Sequence, residues 1–260
     1  MTMEQITSKD GTTIAFDRIG HGPAVVLVAG SASDRSDKSP LAEHLAPDFT
    51  VLNYDRRGRG PSGDAQPYAV EREVEDIAAV IDAAGGEAGL FGGSSGAALA
   101  LLAASAGLPV TKLAMWEPPY LPEGMPTPPP DHVQQLETMV ADDRRDAAVE
   151  YFMSTVVGLP PEAVADMRRK PFWAETVALA HTLAYDARIL GDYRLPVDLA
   201  KHLTLPTLVL AGGRDMPFMR DTATALAALL PAGEAQFLDG QPHNVDTAAL
   251  APVLKAFFTA

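Results

Sequence analysis

The residues best placed for covalent chemistry lie in the run Gly92-Gly93-Ser94-Ser95-Gly96. This G-x-S-x-G follows an apolar stretch, Ala88 to Phe91, that reads as a strand. It leads into an Ala/Leu-rich stretch, Ala97 to Ala106, that reads as a helix. A serine on so sharp a strand-to-helix turn takes a strained backbone, and small residues two before and two after it let strand and helix pass closely. Its hydroxyl then projects from the sheet edge at the positive end of a helix. Ser94 is therefore the expected nucleophile. Ser95, flanked by Gly93 and Ala97, fits the turn less well, and its backbone N–H suits an oxyanion hole.

A serine hydroxyl is inert at neutral pH unless a base takes its proton, and the base needs a partner to orient it. Of the six histidines, His44, His132, His181 and His202 sit in or beside helical patterns, and His21 occupies a turn before the first buried strand. His243, in Gly240-Gln241-Pro242-His243, falls between a late strand and the last helix. Asp215 lies just past the strand Pro206 to Ala211, in Gly212-Gly213-Arg214-Asp215. Both belong to the carboxyl edge of the sheet, where open α/β sheets bind ligands. A second carboxylate, Glu117 in Met115-Trp116-Glu117-Pro118-Pro119, stands at the end of an earlier strand.

The elements that must position these groups alternate along the chain. Ile6 to Ser8 and Thr12 to Arg18 are short polar/apolar alternations joined through Asp10-Gly11, the pattern of a hairpin. Ala24 to Ala29 is apolar without alternation, as a strand buried on both faces reads. Thr50 to Tyr54, Ala88 to Phe91, Thr111 to Trp116, Pro206 to Ala211 and Ala235 to Leu238 repeat the theme. Helical periodicities lie between them, at Leu41 to Leu45, Val70 to Ala84, Ser95 to Ala106, Arg220 to Leu230 and Thr247 to Phe258. The expected fold class is α/β, a mostly parallel sheet flanked by helices. From Pro118 to Pro130 seven of thirteen residues are Pro, so no regular element runs through that segment. The stretch to Leu203 holds only helical patterns, at Gln134 to Val140, Asp146 to Val157, Pro161 to Arg169 and Phe172 to Leu190. The expected organisation is a core of residues 1–117 and 204–260 with a helical cap, 118–203, inserted between two strands.

Composition removes whole classes of function. With 20 Lys and Arg against 34 Asp and Glu, the net charge of −14 opposes binding to nucleic acid or an anionic membrane. The absence of Cys excludes disulfides, thiolate zinc sites and Cys nucleophiles. No H-E-x-x-H or similar spacing points to a metal, and no G-x-G-x-x-G points to a dinucleotide, so neither metal nor cofactor is expected. No basic-then-apolar start and no apolar run of about 18 residues is present, so the expected location is the cytoplasm.

These motifs together resemble the α/β-hydrolase fold superfamily over essentially the whole chain. Asp55-Arg56-Arg57-Gly58-Arg59-Gly60-Pro61-Ser62 is similar to the superfamily's D-x-R-G-x-G-x-S turn, which implies a structural role for Asp55, Arg57, Gly58 and Gly60. The order Ser94, Asp215, His243 matches the superfamily's order of serine, acid, histidine, so Asp215 is the favoured acid and Glu117 the alternative. One departure is visible. Many relatives carry His-Gly after the third strand, whereas here Ala29-Gly30-Ser31 stands at that place, without the histidine brace. The Ser31 N–H is then expected to donate beside that of Ser95 to an oxyanion.

The resemblance implies hydrolysis of an ester, thioester or lactone through an acyl-serine, without a cofactor. Met115, Trp116, Phe172 and Trp173 are the expected lining of a mainly apolar pocket for a small to medium substrate. The net charge disfavours acidic substrates unless Arg35, Arg56 or Arg214 overrides it locally. Two alternatives stay open: a ligand-binding or sensory module with little turnover, and a cofactor-free perhydrolase or carbon–carbon bond hydrolase.

Overall fold

The computed structural model describes residues 3–260. At one edge of the sheet β1 (Met3–Thr7) and β2 (Thr13–Gly20) form the expected antiparallel hairpin. Its turn is closed by the Asp10 carboxylate, which accepts the Thr12 N–H at 3.0 Å, and by Gly11 at φ +91°. β2 also pairs antiparallel with β4 (Thr50–Tyr54). Every other pairing is parallel, among β3 (Ala24–Val28), β4, β5 (Ala88–Gly93), β6 (Val110–Trp116), β7 (Thr207–Ala211) and β8 (Gly233–Phe237). The spatial order is β1-β2-β4-β3-β5-β6-β7-β8, an eight-stranded, mostly parallel sheet.

Alternation along each strand divides the interior in two. Val25, Leu27, Phe91, Leu208 and Leu210 face α1 (Ser39–Leu45) and α11 (Thr247–Thr259), where Leu41, Leu45, Leu250 and Leu254 cover them. Val26, Val28, Leu90 and Val209 face the other way, against α2 (Val70–Ala84), α3 (Ser95–Ser105) and α10 (Phe218–Leu229). Helices on both faces of a parallel sheet leave only its carboxyl edge open for a site.

Between β6 and β7 the chain forms helices only: α4 (His132–Ala141), α5 (Arg145–Tyr151), α6 (Pro161–Arg168), α7 (Phe172–Ala178), α8 (Leu183–Leu190) and α9 (Val197–His202). The periodicity that predicts one helix from Phe172 to Leu190 is broken by a 3-10 turn at Ala180–Thr182, where the Thr182 hydroxyl bonds the Leu179 carbonyl at 2.8 Å. α9, at six residues, is too short to leave a periodic signal. Leu136, Val149, Trp173 and Leu183 of these helices belong to the same apolar cluster as Val26, Leu90 and Leu101. The insertion therefore shares the interior of the sheet. The proline-rich stretch before it forms neither helix nor strand. Prolines supply carbonyls without N–H donors, and Arg194 answers two carbonyls of this stretch, those of Pro122 and Met125, at 2.8 Å each.

The turn after β4 is fixed by charge. Arg57, buried, donates to both oxygens of buried Asp76 on α2 at 2.8 and 2.7 Å and to Asp10 in the hairpin at 3.0 Å. Burial pushes the Asp76 carboxyl up, and the bonds from Arg57 oppose that shift. Asp55 accepts the Arg35 N–H at 2.8 Å, and a Cβ on Gly60 would lie 2.5 Å from its carboxylate, so only glycine fits there. Arg57→Met should strand the Asp76 carboxylate and cost about 3–5 kcal/mol of unfolding free energy. Arg144→Met, breaking an exposed pair with Asp142, should cost under about 1 kcal/mol. Urea denaturation of the two variants beside the parent protein measures the difference.

Candidate active site

The turn from β5 into α3 places Ser94 at φ 55°, ψ −126°, in the left-handed half of backbone space that a side chain normally avoids. Two close approaches enforce it. A Cβ on Gly92 would lie 2.3 Å from the Gly96 carbonyl oxygen, and one on Gly96 would lie 2.4 Å from that of Val28. Helix and strand can cross at this separation only because both positions lack side chains. The Ser94 N–H donates to the Trp116 carbonyl at 2.9 Å, which fixes the turn against β6. Ser94 itself is half-buried.

Trp116 also holds the histidine loop, since its indole N–H donates to the His243 carbonyl at 2.8 Å. One residue thus ties the serine turn and the histidine loop together across the sheet edge. The His243 ring meets Glu117, not Asp215: Nδ1 lies 2.6 Å from Glu117 Oε2. The other Glu117 oxygen accepts the N–H groups of Gly212 and Gly213 at 2.9 and 3.0 Å. Glu117 is 1% exposed, and its backbone, at φ 42°, is strained like that of Ser94. A buried carboxyl group with both oxygens bonded in this way is held in one orientation facing the imidazole.

Asp215, the acid preferred from chain order, does not orient the ring. Its carboxylate accepts the backbone N–H of His243 at 3.2 Å and faces the guanidinium of Arg214 at 3.4 Å, with its side chain 48% exposed. The reason lies in the glycines that precede it. Gly212 and Gly213 turn their amides toward Glu117, and the loop is pinned to the histidine loop at Gly212, where a Cβ would lie 2.1 Å from the Gln241 carbonyl oxygen. On that course Asp215 stays exposed, against the backbone N–H of His243 rather than its ring.

The loop after β3 reaches the serine from the opposite side. A Cβ on Gly30 would lie 3.2 Å from that of Ser94. Among the described residues neither the Ser31 N–H nor the Ser95 N–H has a hydrogen-bond acceptor. Ser95 opens α3, so its amide is one of the donors a helix leaves free at its start.

The four residues expected to line a pocket go elsewhere. Met115 and Trp116 are consecutive on β6 and point to opposite faces of the sheet, 0% and 2% exposed, inside the two apolar cores. Trp173 packs within the inserted helices, its indole N–H on Asp146 at 2.8 Å, and Phe172 is 44% exposed. Size and aromatic character do not reveal which face of a strand or helix a residue occupies. Asp186 escaped the sequence reading altogether. It lies fully buried on α8 and accepts the Ser95 hydroxyl at 2.8 Å, beside Arg56 and Arg59. A charged residue inside the apolar pattern Leu183 to Leu190 was the available signal. Among the described residues no group of three or more His, Asp or Glu is arranged to hold a metal ion, and no helix is long and apolar enough to cross a membrane.

Residues 25–253 match the model of the alpha/beta hydrolase family. The chain is 32% identical over 237 residues, 88% of this chain and 90% of the relative, to the pimeloyl-[acyl-carrier protein] methyl ester esterase of Xanthomonas campestris pv. campestris. Among solved structures it is similar to an alpha/beta hydrolase from Sphaerobacter thermophilus, 51% identical with a TM-score of 0.92 over 98% of this chain and all of that one. A thermophilic esterase from Thermogutta terrifontis, 22% identical, shares the fold with a TM-score of 0.74 over 100% of this chain and 97% of that one.

The close crossing of β5 and α3 has a measurable cost. Gly96→Ala forces a methyl group against the Val28 carbonyl and should destabilise the protein by about 1–3 kcal/mol. Gly92→Ala should do the same. Chemical denaturation checks both, and a stability equal to the parent's would mean that the helix can move away at no cost.

Proposed function

Because this chain belongs to the alpha/beta hydrolase family, we propose that it is a serine esterase in which Ser94 is acylated, His243 moves the proton and Glu117 orients the imidazole. The observation that carries this reading is the 2.6 Å contact between Glu117 Oε2 and His243 Nδ1, on a carboxylate already fixed by two backbone amides. With Nδ1–H donated to Glu117, the ring presents Nε2 as the base. Nε2 takes the proton of Ser94 as Oγ attacks the ester carbonyl. The oxyanion that forms accepts hydrogen bonds from the N–H groups of Ser31 and Ser95. His243 then returns the proton to the leaving alkoxide, and water repeats the sequence on the acyl-serine to release the acid. Glu117 stays ionised and stabilises the imidazolium in both halves. Asp215 steadies the backbone of the histidine loop.

The substrate is a small to medium, mainly uncharged ester, with thioesters and lactones accessible to the same chemistry. Two of the three arginines that would favour an acidic substrate are already committed. Arg35 is bound to Asp17 and Asp55, and Arg56 to Glu73 and Asp186. Arg214 is exposed beside Asp215. The naming of the 32% identical relative as a methyl ester esterase supports a small alcohol as leaving group.

Hydrolysis of short p-nitrophenyl esters tests the reading. Ser94→Ala should fold and lose turnover by about a thousandfold or more, and should no longer be labelled by a fluorophosphonate. Glu117→Gln should lower kcat by about 10²–10⁴, whereas Asp215→Asn should stay within about tenfold of the parent. The opposite order would return the orienting role to Asp215. In the parent, kcat/KM should rise with pH as the base loses its proton, and the residual rate of His243→Ala should lack that rise. A parent protein inert toward esters and fluorophosphonate alike would favour a ligand-binding module on this fold.

A further inference from the structure

We propose that Asp186, reaching in from α8, and the guanidinium groups of Arg56 and Arg59 are positioning residues that set the direction of the two oxyanion-hole N–H groups. The inference rests on the esterase reading and deepens it, because it assigns the geometry of that hole to a part of the chain outside the sheet.

Asp186 is 0% exposed, and the Arg56 and Arg59 side chains beside it are 0% and 1% exposed. Its Oδ1 accepts from Arg56 at 2.7 Å, from Arg59 at 3.0 Å and from the Ser95 hydroxyl at 2.8 Å, and its Oδ2 accepts from Arg59 at 2.8 Å. Glu73 takes the other side of Arg56 through two bonds of 2.7 Å. Two guanidiniums and two carboxylates balance to zero, the condition under which charges tolerate such burial. A cluster that only filled space could be replaced by apolar side chains at no loss. This one instead ends on the backbone around the serine.

Arg59 donates to the carbonyl oxygens of Gly30 and Ser33, and Arg56 to that of Ala29 at 3.3 Å. The Gly30 carbonyl and the Ser31 N–H belong to one planar trans peptide, so they point in opposite directions. Holding the oxygen on Arg59 therefore aims the N–H away from it. The hold is needed, because the next residue, Ala32, sits at φ 49° and a free loop would relax. On the other donor, the Ser95 hydroxyl anchors the first turn of α3 to Asp186, and the Ser31 hydroxyl donates to Ser95 Oγ at 3.0 Å. Both donors are thus referenced to one carboxylate. The brace expected of a histidine at position 29 comes here from two arginines and an aspartate 157 residues further along the chain.

Removing an oxyanion donor outright costs about 10²–10³ in kcat, so misaiming one should cost less. Ser95→Ala keeps the backbone amide and leaves both arginines on Asp186, so it should fold like the parent. It should lower kcat about tenfold with KM within about twofold, and weaken a trifluoromethyl ketone inhibitor by the same factor as kcat/KM. Asp186→Asn and Arg59→Met should lower kcat further, about a hundredfold, with the pH dependence of kcat/KM unmoved because Glu117 and His243 are untouched. A merely structural role would lower thermal stability and leave kcat and inhibitor affinity in place, and that result for Ser95→Ala overturns the inference. So does an effect confined to KM. An inert parent protein ends the esterase reading and this one together, whereas an active parent with Ser95→Ala at the parental rate ends this one alone.

Discussion

The structure turns on how closely α3 crosses the strands beneath it. Side chains normally hold a helix off the sheet beneath it, but Gly92 and Gly96 bring backbone against backbone. The residue between them has no room to continue either as strand or as helix, and Ser94 takes the left-handed conformation that joins the two. That strain costs about 1–3 kcal/mol. It is offset by an almost entirely apolar helix: α3 buries Ala97 through Leu101 with Ala103 and Ala104. A helix that is apolar all round has neighbours on every side, and those neighbours include the inserted helices. The site therefore depends on the insertion for the rigidity of its turn as well as for any cover above it.

A second theme is the handling of charge. The surface carries the excess of acid, yet the turn after β4 takes three arginines, Arg56, Arg57 and Arg59, into the interior. Their carboxylate partners come from three elements: Glu73 and Asp76 on α2, Asp186 on α8, Asp10 in the hairpin. Burial alone would raise the Asp186 carboxyl, but Arg59 and Arg56 outweigh it and hold the group below its usual range. Arginine suits this task because its planar fork binds two acceptors at fixed angles and stays charged when buried.

Much of this architecture was legible in the sequence. Thr50 to Tyr54 appears in the structure with the bounds that its pattern predicts, and the apolar run at Ala24 is shorter by one residue. Ser31 and Ser95 meet through their hydroxyls, and Trp116 bonds both the Ser94 N–H and the His243 carbonyl, at the edge that the strand ends define. Residue order favours Asp215, whereas the ring meets Glu117, for a reason that order cannot contain. Both candidates follow strands, and the choice rests on which way the Gly212 and Gly213 amides face. The pocket residues were misjudged because Met115 and Trp116 were grouped by size, although neighbours on a strand must point to opposite faces. Asp186 leaves one local mark, a charge inside an apolar pattern, but its arginine partners lie about 130 residues away, a separation that no local pattern reports.

The wide spacing of the site along the chain also orders events during synthesis. Ser94 and the loop at Ser31 leave the ribosome early, but Asp186 follows about 90 residues after Ser95, and the Gly212 and Gly213 amides and His243 come later still. Until Gly212 and Gly213 are made Glu117 lacks its amide donors, and until His243 is made it lacks the ring that it meets. A nascent or truncated chain accordingly lacks the contact between Glu117 and His243 even if its first strands have paired, and the site is complete only once the chain has passed β8.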